Sequence, residues 1–296
     1  MPDQYYPSLR IWIISGSVFL VLLLALHVLA LCYNHDLLQK KQKMEAAYLL
    51  KHAIQSFKQK EHKTKVMALG SSLTAQGIAC EEEFEDTVYD NIALGKVFLN
   101  SYYGIVESFL DAKVFDSLLQ NPPDILLIEM DQVAYQIQED TTFLDRTRES
   151  AFFLQNLKIT TGYRLVNYRM PAHCGKLIEA TIADTTLPSS ISWHLRTYED
   201  RSLIHPYLKR LREAGVRIIL LQIPRPVEIE TQMHDEKKDK QLKMLLNAYQ
   251  HNYQIDYWNY PYKLSYRYFY DQGHLNQKGR MLYSQWLYSK LQKEIR

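Results

Sequence analysis

The sequence contains little cysteine, the residue that forms disulfides and binds many structural metal ions. Cysteine occurs three times, as Cys32, Cys80 and Cys174. An odd number at such wide spacing argues against a disulfide framework and against a zinc-ligand pattern. The spacing leaves a single Cys80–Cys174 bridge open without requiring it. We therefore predict neither a metal site nor a bound cofactor.

The chain also lacks a surplus of charge of either sign. Its formal net charge is +2, which indicates neither a nucleic-acid partner nor an acidic substrate. It has no internal repeat and no low-complexity tract. Apolar residues make up 47% and charged residues 23% of the 296 positions, a balance typical of a globular protein. A chain of this length can bury a full core.

One segment lacks charge altogether, because residues 11–35 contain no Asp, Glu, Lys or Arg. At about 1.5 Å per residue, the apolar run 11–33 reaches across a hydrocarbon core of about 30 Å. A secretory signal has a shorter apolar region and a small residue at its cleavage site. A lipoprotein site at Cys32 is disfavoured, since Leu31 stands where a small residue is needed. We predict that residues 1–35 form an uncleaved, single-pass signal anchor.

The charges that flank this segment leave its orientation open. Arg10 lies on one side, while Lys40, Lys41 and Lys43 lie on the other. This distribution does not favour export of the larger C-terminal part. However, long domains cross membranes largely regardless of flanking charge, so the count carries little weight.

Residues 36–64 contain no glycine or proline, and Leu50, Ile54 and Phe57 recur at helical spacing. This pattern predicts a helical stalk between the membrane and a C-terminal domain. Its charged residues are interpreted as a solvated face.

The remaining residues, 65–296, alternate short apolar runs with helical segments. Near-continuous apolar runs suit a parallel sheet that is buried on both faces. The alternation therefore predicts an α/β layered domain. Residues 136–200, approximately, fit it poorly and are interpreted as a mostly helical insertion that could cap the site. The predicted strands lie at 65–69, 88–94, 124–130 and 216–223, and the predicted helices at 202–214 and 236–253.

The first predicted strand ends in the sequence Ala68-Leu69-Gly70-Ser71-Ser72-Leu73-Thr74. In open α/β sheets, ligands bind at the carboxyl ends of the strands. A serine at this point faces the crevice, and the following helix N-terminus offers N–H groups to an oxyanion. Alone the motif is weak, because Ser71 or Ser72 could simply cap the helix.

A second motif, Phe269-Tyr270-Asp271-Gln272-Gly273-His274-Leu275, lies near the end of the chain. Asp271 and His274 are three residues apart around a glycine, so the carboxylate can reach the imidazole Nδ1–H. That arrangement leaves Nε2 free to take a serine proton, as in a Ser-His-Asp triad. Asn276 is a candidate cap for the last helix. Taken alone, a turn with a surface histidine explains the motif equally well.

Together the two motifs resemble those of the SGNH/GDSL hydrolases. The segment 70–73 is similar to the first block of that family, with Ser71 in the place of the usual Asp. The segment 271–279, Asp-x-x-His-Leu-x-x-x-Gly, is similar to the last block, and 91–95 resembles the second. The resemblance covers about residues 65–296, but only its two ends are specific.

This resemblance implies a flavodoxin-like, three-layer α/β/α fold. It implies that Ser72, directly before Leu73, is the nucleophile, with His274 as general base and Asp271 as its partner. The N–H groups of Ser72 and Gly95 would line the oxyanion hole.

One departure concerns the third block of the family, Gly-x-Asn-Asp, whose Asn side chain donates to the oxyanion. The matching residues are Glu129-Met130-Asp131-Gln132. An ionised Asp131 cannot donate a hydrogen bond. Gln132 could do so if the loop register shifts by one residue. Otherwise the hole has two backbone donors, and losing one donor costs about 3 kcal/mol of transition-state stabilisation.

The two end motifs are especially similar to those of D-alanine transfer proteins and alginate O-acetylation proteins. Those proteins are tethered to the bacterial cytoplasmic membrane and act outside the cytoplasm on envelope polymers. The resemblance implies an esterase or O-acyltransferase with an extracytoplasmic domain, acting on acyl esters of an envelope glycan. A transferase would need a multispanning partner that supplies the acyl group.

Two alternatives stay open. Arg225, between Pro224 and Pro226, could bind an anionic substrate group at the crevice mouth, although a solvated loop arginine is the plainer interpretation. The whole protein could also be a non-catalytic envelope component of the same fold that binds a glycan or an acyltransferase partner. The missing third-block Asn favours this second alternative.

Overall fold

The computed structural model describes residues 8–60, 62–79, 87–94, 105–139, 150–151, 153–154, 179–181 and 191–295. The chain divides into two compact units. The first contains Met1–Lys41 with two shorter segments, Val97–Ser101 and Thr141–Tyr168. The second contains Gln42–Lys96, Tyr102–Asp140 and Arg169–Arg296, and it holds every residue of the candidate site that the structure describes.

The first unit contains the start of a long helix, α1 (Leu9–Gln59). Its segment Leu9–Asn34 has a mean hydropathy of 2.5 and is long and apolar enough to cross a membrane. Only 6% of the most apolar window is buried, and large side chains such as Trp12 and Phe19 are exposed. Length and composition thus agree with the predicted anchor. Cys32 is an exposed free thiol, whereas Cys80 and Cys174 lie outside the described residues.

The second unit is built on a parallel sheet. Its five strands lie in the order β2-β1-β3-β6-β7, and all four neighbouring pairs are parallel. The predicted α/β class with a parallel sheet is therefore confirmed. The strands are β1 (Thr64–Ser71), β2 (Thr87–Leu94), β3 (Ile125–Glu129), β6 (Arg217–Leu221) and β7 (Asp256–Trp258).

Alternate side chains of each strand point to opposite faces of the sheet. On β1, Met67 and Leu69 join one apolar cluster, while Val66 and Ala68 join the other. Both faces are covered by helices, which explains why the strands read as near-continuous apolar runs. The helices are α2 (Ser72–Gly77), α3 (Ile105–Asp111), α4 (Val114–Gln120), α5 (Met130–Ala134), α6 (His205–Glu213), α7 (Val227–Met233), α8 (Glu236–Tyr253) and α9 (Gln277–Ile295).

The predicted stalk is helical to Gln59, but it is not separate from the domain. From Gln42 onward the chain belongs to the second unit. The apolar stripe of this helix packs into the same cluster as Met67 and Leu69, so the domain begins within α1 rather than at residue 65. The apolar stripe of α1 must be covered by other apolar residues, and those on one face of the sheet cover it. Its buried residues are Ala46, Leu49, Leu50, Ala53 and Phe57.

The ends of the predicted insertion, residues 136–200, are strands rather than helices. β4 (Tyr135–Glu139) and β5 (Ile191–Leu195) pair antiparallel, with Tyr135 opposite Leu195. A 3₁₀ turn, Glu199–Ile204, then leads into α6. Most of the residues between the two strands lie outside the described part of the chain, so the proposed cap over the site stays a prediction.

The packing of α1 onto the sheet can be tested with two adjacent residues of that helix. Leu49 is 2% exposed and Tyr48 is 45% exposed. We expect Leu49→Ala to lower the free energy of unfolding by about 2–5 kcal/mol, because it leaves a cavity in the core. Tyr48→Ala should cost less than about 1 kcal/mol. Urea unfolding of the full chain in detergent, followed by tryptophan fluorescence, measures both values, and equal losses would contradict this packing.

Candidate active site

The first element of the site is the junction between β1 and α2. β1 lies between β2 and β3, at the point where the strand order reverses, and crevices in α/β sheets form at the carboxyl ends of such strands. Ser71 is the N-cap of α2, and its hydroxyl accepts the N–H of Leu73 at 3.1 Å. Ser72 opens the helix directly after it.

The second element is a tight turn before α9. The Tyr270 N–H donates to the His274 carbonyl oxygen at 3.1 Å. Inside the turn, Asp271 Oδ1 accepts the backbone N–H groups of Gly273 (2.9 Å) and His274 (2.7 Å). The carboxylate is therefore fixed by the backbone of its own turn before any contact with another side chain is considered.

The structure brings Ser72, His274 and Asp271 together. His274 Nδ1 lies 2.7 Å from Asp271 Oδ2 and 2.9 Å from Oδ1. His274 Nε2 lies 2.8 Å from Ser72 Oγ, across 202 residues of sequence. Because an ionised carboxylate only accepts hydrogen bonds, Nδ1 carries the proton and Nε2 is left to accept one from the serine. This is the geometry that a Ser-His-Asp triad requires.

The electrostatics of the turn keep the carboxylate ionised. Burial raises the pKa of Asp271, but hydrogen bonds from the His274 side chain and from the N–H groups of Gly273 and His274 outweigh it, so the pKa is lowered overall. Tyr270 stacks on the His274 ring, with centroids 5.4 Å apart and planes 17° apart. Burial, aided by Asp271, raises the pKa of Tyr270 to about 12, so a neutral phenol covers one face of the imidazole.

The two adjacent serines have different partners. The Ser71 hydroxyl lies 2.8 Å from both carboxylate oxygens of Glu129, and its N–H donates to Glu129 Oε2 at 2.7 Å. Ser71 is also 5% exposed. Its hydroxyl is thus occupied by a carboxylate and by the cap of α2, whereas the hydroxyl of Ser72 faces His274.

Glu129, at the end of β3, is a site residue that the motifs did not single out. It is 2% exposed and also accepts hydrogen bonds from Thr74 Oγ1 (2.6 Å) and Gln132 Nε2 (2.7 Å). Gly70 allows this close approach, because a Cβ at residue 70 would lie 2.6 Å from Glu129 Oε2. The sequence did contain a signal for this role, because Glu129 is an acidic residue at the end of the otherwise apolar strand β3. A carboxylate buried there needs hydrogen-bond partners.

The predicted oxyanion donors are described in part. Gly95 lies outside the described residues. One N–H of the Gln132 amide is taken by Glu129, and an amide nitrogen carries two. Asp131 is ion-paired, with Oδ2 2.8 Å from Arg225 Nη2, and does not donate. The N–H of Ser72, at the start of α2, remains the predicted backbone donor.

Arg225, for which the sequence left open an anion-binding role or a solvated loop position, is largely buried in an ion pair with Asp131. Its side chain and that of Asp131 are 10% and 7% exposed, and their charges balance. The guanidinium also lies against Gly273, where an added Cβ would be 2.9 Å from Nη1. Arg225 therefore connects α5, which carries Asp131, to the turn that carries His274, and it does not offer an uncompensated positive charge to a substrate.

A second arginine, Arg201, also contacts α5. It is 4% exposed, donates to Glu107 Oε1 at 2.6 Å and also donates to the backbone oxygen of Gln132. Nothing in the sequence near Arg201 indicated this role. The contact joins residues distant in the chain.

The last helix begins as predicted. Asn276 Oδ1 accepts the N–H of Gly279 at 3.1 Å, and its Nδ2 donates to the Arg267 oxygen at 2.9 Å. Asn276 therefore caps α9 and ties it to the preceding loop.

A scan against models of known protein families finds no match for this chain, and a search of curated proteins finds none either. In the described ranges, no group of three or more His, Cys, Asp or Glu side chains is placed to hold a metal ion. The interpretation of the site thus depends on its geometry and on the motifs.

The different partners of the two serines predict different effects on stability. Ser71→Ala should lower the free energy of unfolding by about 1–3 kcal/mol, because it removes a helix cap and a buried hydrogen bond to a carboxylate. Ser72→Ala should leave it within about 0.5 kcal/mol, as is usual for residues that serve an active site. Thermal unfolding of the full chain in detergent measures both. A larger loss of stability in Ser72→Ala than in Ser71→Ala would contradict the hydrogen-bond partners assigned to the two serines.

Proposed function

We propose that this protein is a membrane-anchored serine hydrolase of the SGNH type that acts on acyl esters. The observation that carries the proposal is the 2.8 Å hydrogen bond between Ser72 Oγ and His274 Nε2, with Asp271 held against Nδ1. A serine hydroxyl is a weak nucleophile until a base accepts its proton. The site supplies that base, oriented by an ionised carboxylate.

The proposed reaction proceeds in two halves. Ser72 Oγ attacks the ester carbonyl while its proton passes to His274 Nε2, and Asp271 stabilises the imidazolium. The tetrahedral intermediate collapses, the alcohol leaves with the proton from Nε2, and an acyl-Ser72 ester remains. In the second half His274 takes a proton from water or from a sugar hydroxyl, whose oxygen attacks the acyl carbon. The bond from that carbon to Ser72 Oγ then breaks, the acylated product leaves, and Oγ takes the proton back from Nε2. Water as acceptor makes an esterase, and a glycan hydroxyl makes an O-acyltransferase.

The fold supports the assignment to the SGNH type. Counting only the parallel strands, their order is 2-1-3-4-5, which is the flavodoxin-like order with its crevice between the first and third strands. Ser72 follows the first of these strands and Glu129 ends the third. Helices cover both faces of the sheet, as a three-layer α/β/α arrangement requires.

The candidate membrane helix and the motifs together support an envelope substrate. A domain tethered by Leu9–Asn34 would act close to the bacterial cytoplasmic membrane. The motif resemblance favours a polysaccharide of the envelope and an extracytoplasmic domain. If the reaction is a transfer, a multispanning partner must supply the acyl group, since a single anchor helix cannot carry an activated acyl group across a bilayer.

A second candidate function is a non-catalytic protein of the same fold that binds an envelope glycan or an acyltransferase partner. The observation that favours it lies in α5, directly after β3, where Asp131 is ion-paired with Arg225 and one N–H of the Gln132 amide is taken by Glu129. Asp131 therefore cannot act as the donor that the SGNH family places there, and one of the two N–H groups of the Gln132 amide is already taken. The intact contact between Ser72 and His274 favours catalysis.

Ester hydrolysis by the full chain in detergent tests the proposal. Ser72→Ala and His274→Ala should each remove turnover, leaving only residual binding effects. Asp271→Asn should lower kcat by about 10³–10⁴-fold, because the imidazole loses its orienting carboxylate. His251→Ala, at an exposed position of α8, is the matched control and should keep wild-type kcat. A wild-type rate equal to that of Ser72→Ala would favour the binding-protein alternative.

The proposed orientation is tested separately by reporter fusions at the C-terminus. Alkaline phosphatase fused after Arg296 folds only outside the cytoplasm, so it should be active in a bacterial host. A reporter that requires the cytoplasm should be inactive at the same position. The opposite pair of results would place the domain inside and remove the envelope substrate from the proposal.

A further inference from the structure

A buried carboxylate lies directly behind the strand-to-helix turn that carries Ser72. Glu129 is 2% exposed, and neutral groups supply the hydrogen bonds that the structure gives it. Hydrogen bonds to an ionised acceptor are shorter and about twice as strong as neutral ones. The donors are the Ser71 N–H, the Ser71 hydroxyl, the Thr74 hydroxyl and the Gln132 amide, all at 2.6–2.8 Å.

Three of these four donors belong to the turn itself, and they bracket Ser72 on both sides. The Ser71 N–H and hydroxyl precede it, and the Thr74 hydroxyl follows it. Because the Ser71 hydroxyl donates to Glu129, its lone pair is turned toward the N–H of Leu73, which it accepts at 3.1 Å. The carboxylate therefore sets both the backbone direction at Ser71 and the cap of α2.

We propose that Glu129 is a positioning residue for the nucleophile: its carboxylate holds the turn in the one conformation that aims Ser72 Oγ at His274 Nε2. The inference rests on the proposed function, because positioning has a meaning only if Ser72 reacts. Glu129 touches neither of the reacting atoms and acts through Ser71 and Thr74.

The same carboxylate couples the turn to the neighbouring helix, α5. Oε1 accepts one N–H of Gln132 at 2.7 Å, while Oε2 accepts the Ser71 N–H. One side chain therefore ties α5 to the residue that precedes Ser72. If Gln132 donates its second N–H to an oxyanion, Glu129 aligns that donor as well.

An amide cannot replace the carboxylate here. Glutamine has one acceptor oxygen, and its NH₂ group must face one of the two sets of donors. Placed at the position of Oε2, the NH₂ would oppose the Ser71 N–H, which cannot reverse its role. Placed at the position of Oε1, it would oppose Gln132 Nε2, and the Gln132 amide would have to flip so that its oxygen accepts. In either placement Glu129→Gln keeps the shape of the side chain and changes its contacts with the turn or with Gln132.

The experiment compares Glu129→Gln, Thr74→Val and a control variant of the full chain in detergent. For each variant it measures kcat and KM for an ester substrate, thermal unfolding, and amide hydrogen exchange of the segment 70–74. Glu129→Gln should lower kcat by about 10²-fold, the effect of misplacing a reacting group by about 1 Å, with KM within about threefold. Thr74→Val removes one donor and should lower kcat by about five- to tenfold. Exchange in 70–74 should accelerate in both variants.

Asp90→Asn is the matched control. Asp90 is fully buried on β2 opposite Met67. Its carboxylate accepts the N–H of Asn91 at 3.0 Å and lies 3.6 Å from His52 Nδ1. This variant should lower stability while leaving kcat and the exchange of 70–74 near wild type. A loss of kcat in Asp90→Asn equal to that in Glu129→Gln would overturn the inference, because general destabilisation would then explain both.

Other results would distinguish a failure of the positioning role from a failure of the proposed function. Wild-type kcat in Glu129→Gln, with active wild-type protein, would overturn the inference alone. A wild-type chain with no turnover above that of Ser72→Ala would overturn the proposed function and the inference with it. If Glu129→Gln does not fold, Thr74→Val decides: unchanged kcat and unchanged exchange in that variant would overturn the positioning role.

Discussion

The hydrogen bond between Ser72 Oγ and His274 Nε2 is the contact on which the account depends, and its length is set by how α9 docks. The last helix is held to the end of α2 by side-chain contacts with Ile78 and Ala79. Arg280 Nη2 donates to the Ile78 oxygen at 2.8 Å, and the Tyr288 hydroxyl donates to the Ala79 oxygen at 2.7 Å. The turn that carries His274 immediately precedes this helix, so docking of α9 brings the imidazole to the serine.

Buried charge at the junction of β3 and α5 supports that contact. Removing charges from water is costly unless they are paired or hydrogen-bonded. Glu129 meets this condition with four neutral donors, and Asp131 meets it with Arg225. Arg225 in turn lies against Gly273. Glu129 thus links the end of β3 to the turn of Ser72, and Asp131 links α5 through Arg225 to the turn of His274.

Sequence patterns predicted the elements whose signal is local. The strands were predicted from apolar runs, which arise because both faces of the sheet are buried. Helix α8 was predicted with the bounds that the structure shows, 236–253. β7 was missed because a strand of three residues has no periodicity to detect. The stripe on α1 was recognised as helical, but a stripe does not identify the surface that covers it. The ion pair of Arg225 was not anticipated for a related reason. Its partner Asp131 is 94 residues away, and such pairing is decided by tertiary structure.

Covalent labelling of the full chain by a fluorophosphonate tests the central claim most directly, because this probe reacts with serines that a neighbouring base has activated. We predict one adduct, mapped by mass spectrometry to Ser72, that is absent in Ser72→Ala and strongly slowed in His274→Ala. An adduct on Ser71 would contradict the assignment of the nucleophile. No adduct under conditions that label a known serine esterase would contradict the account of an activated serine.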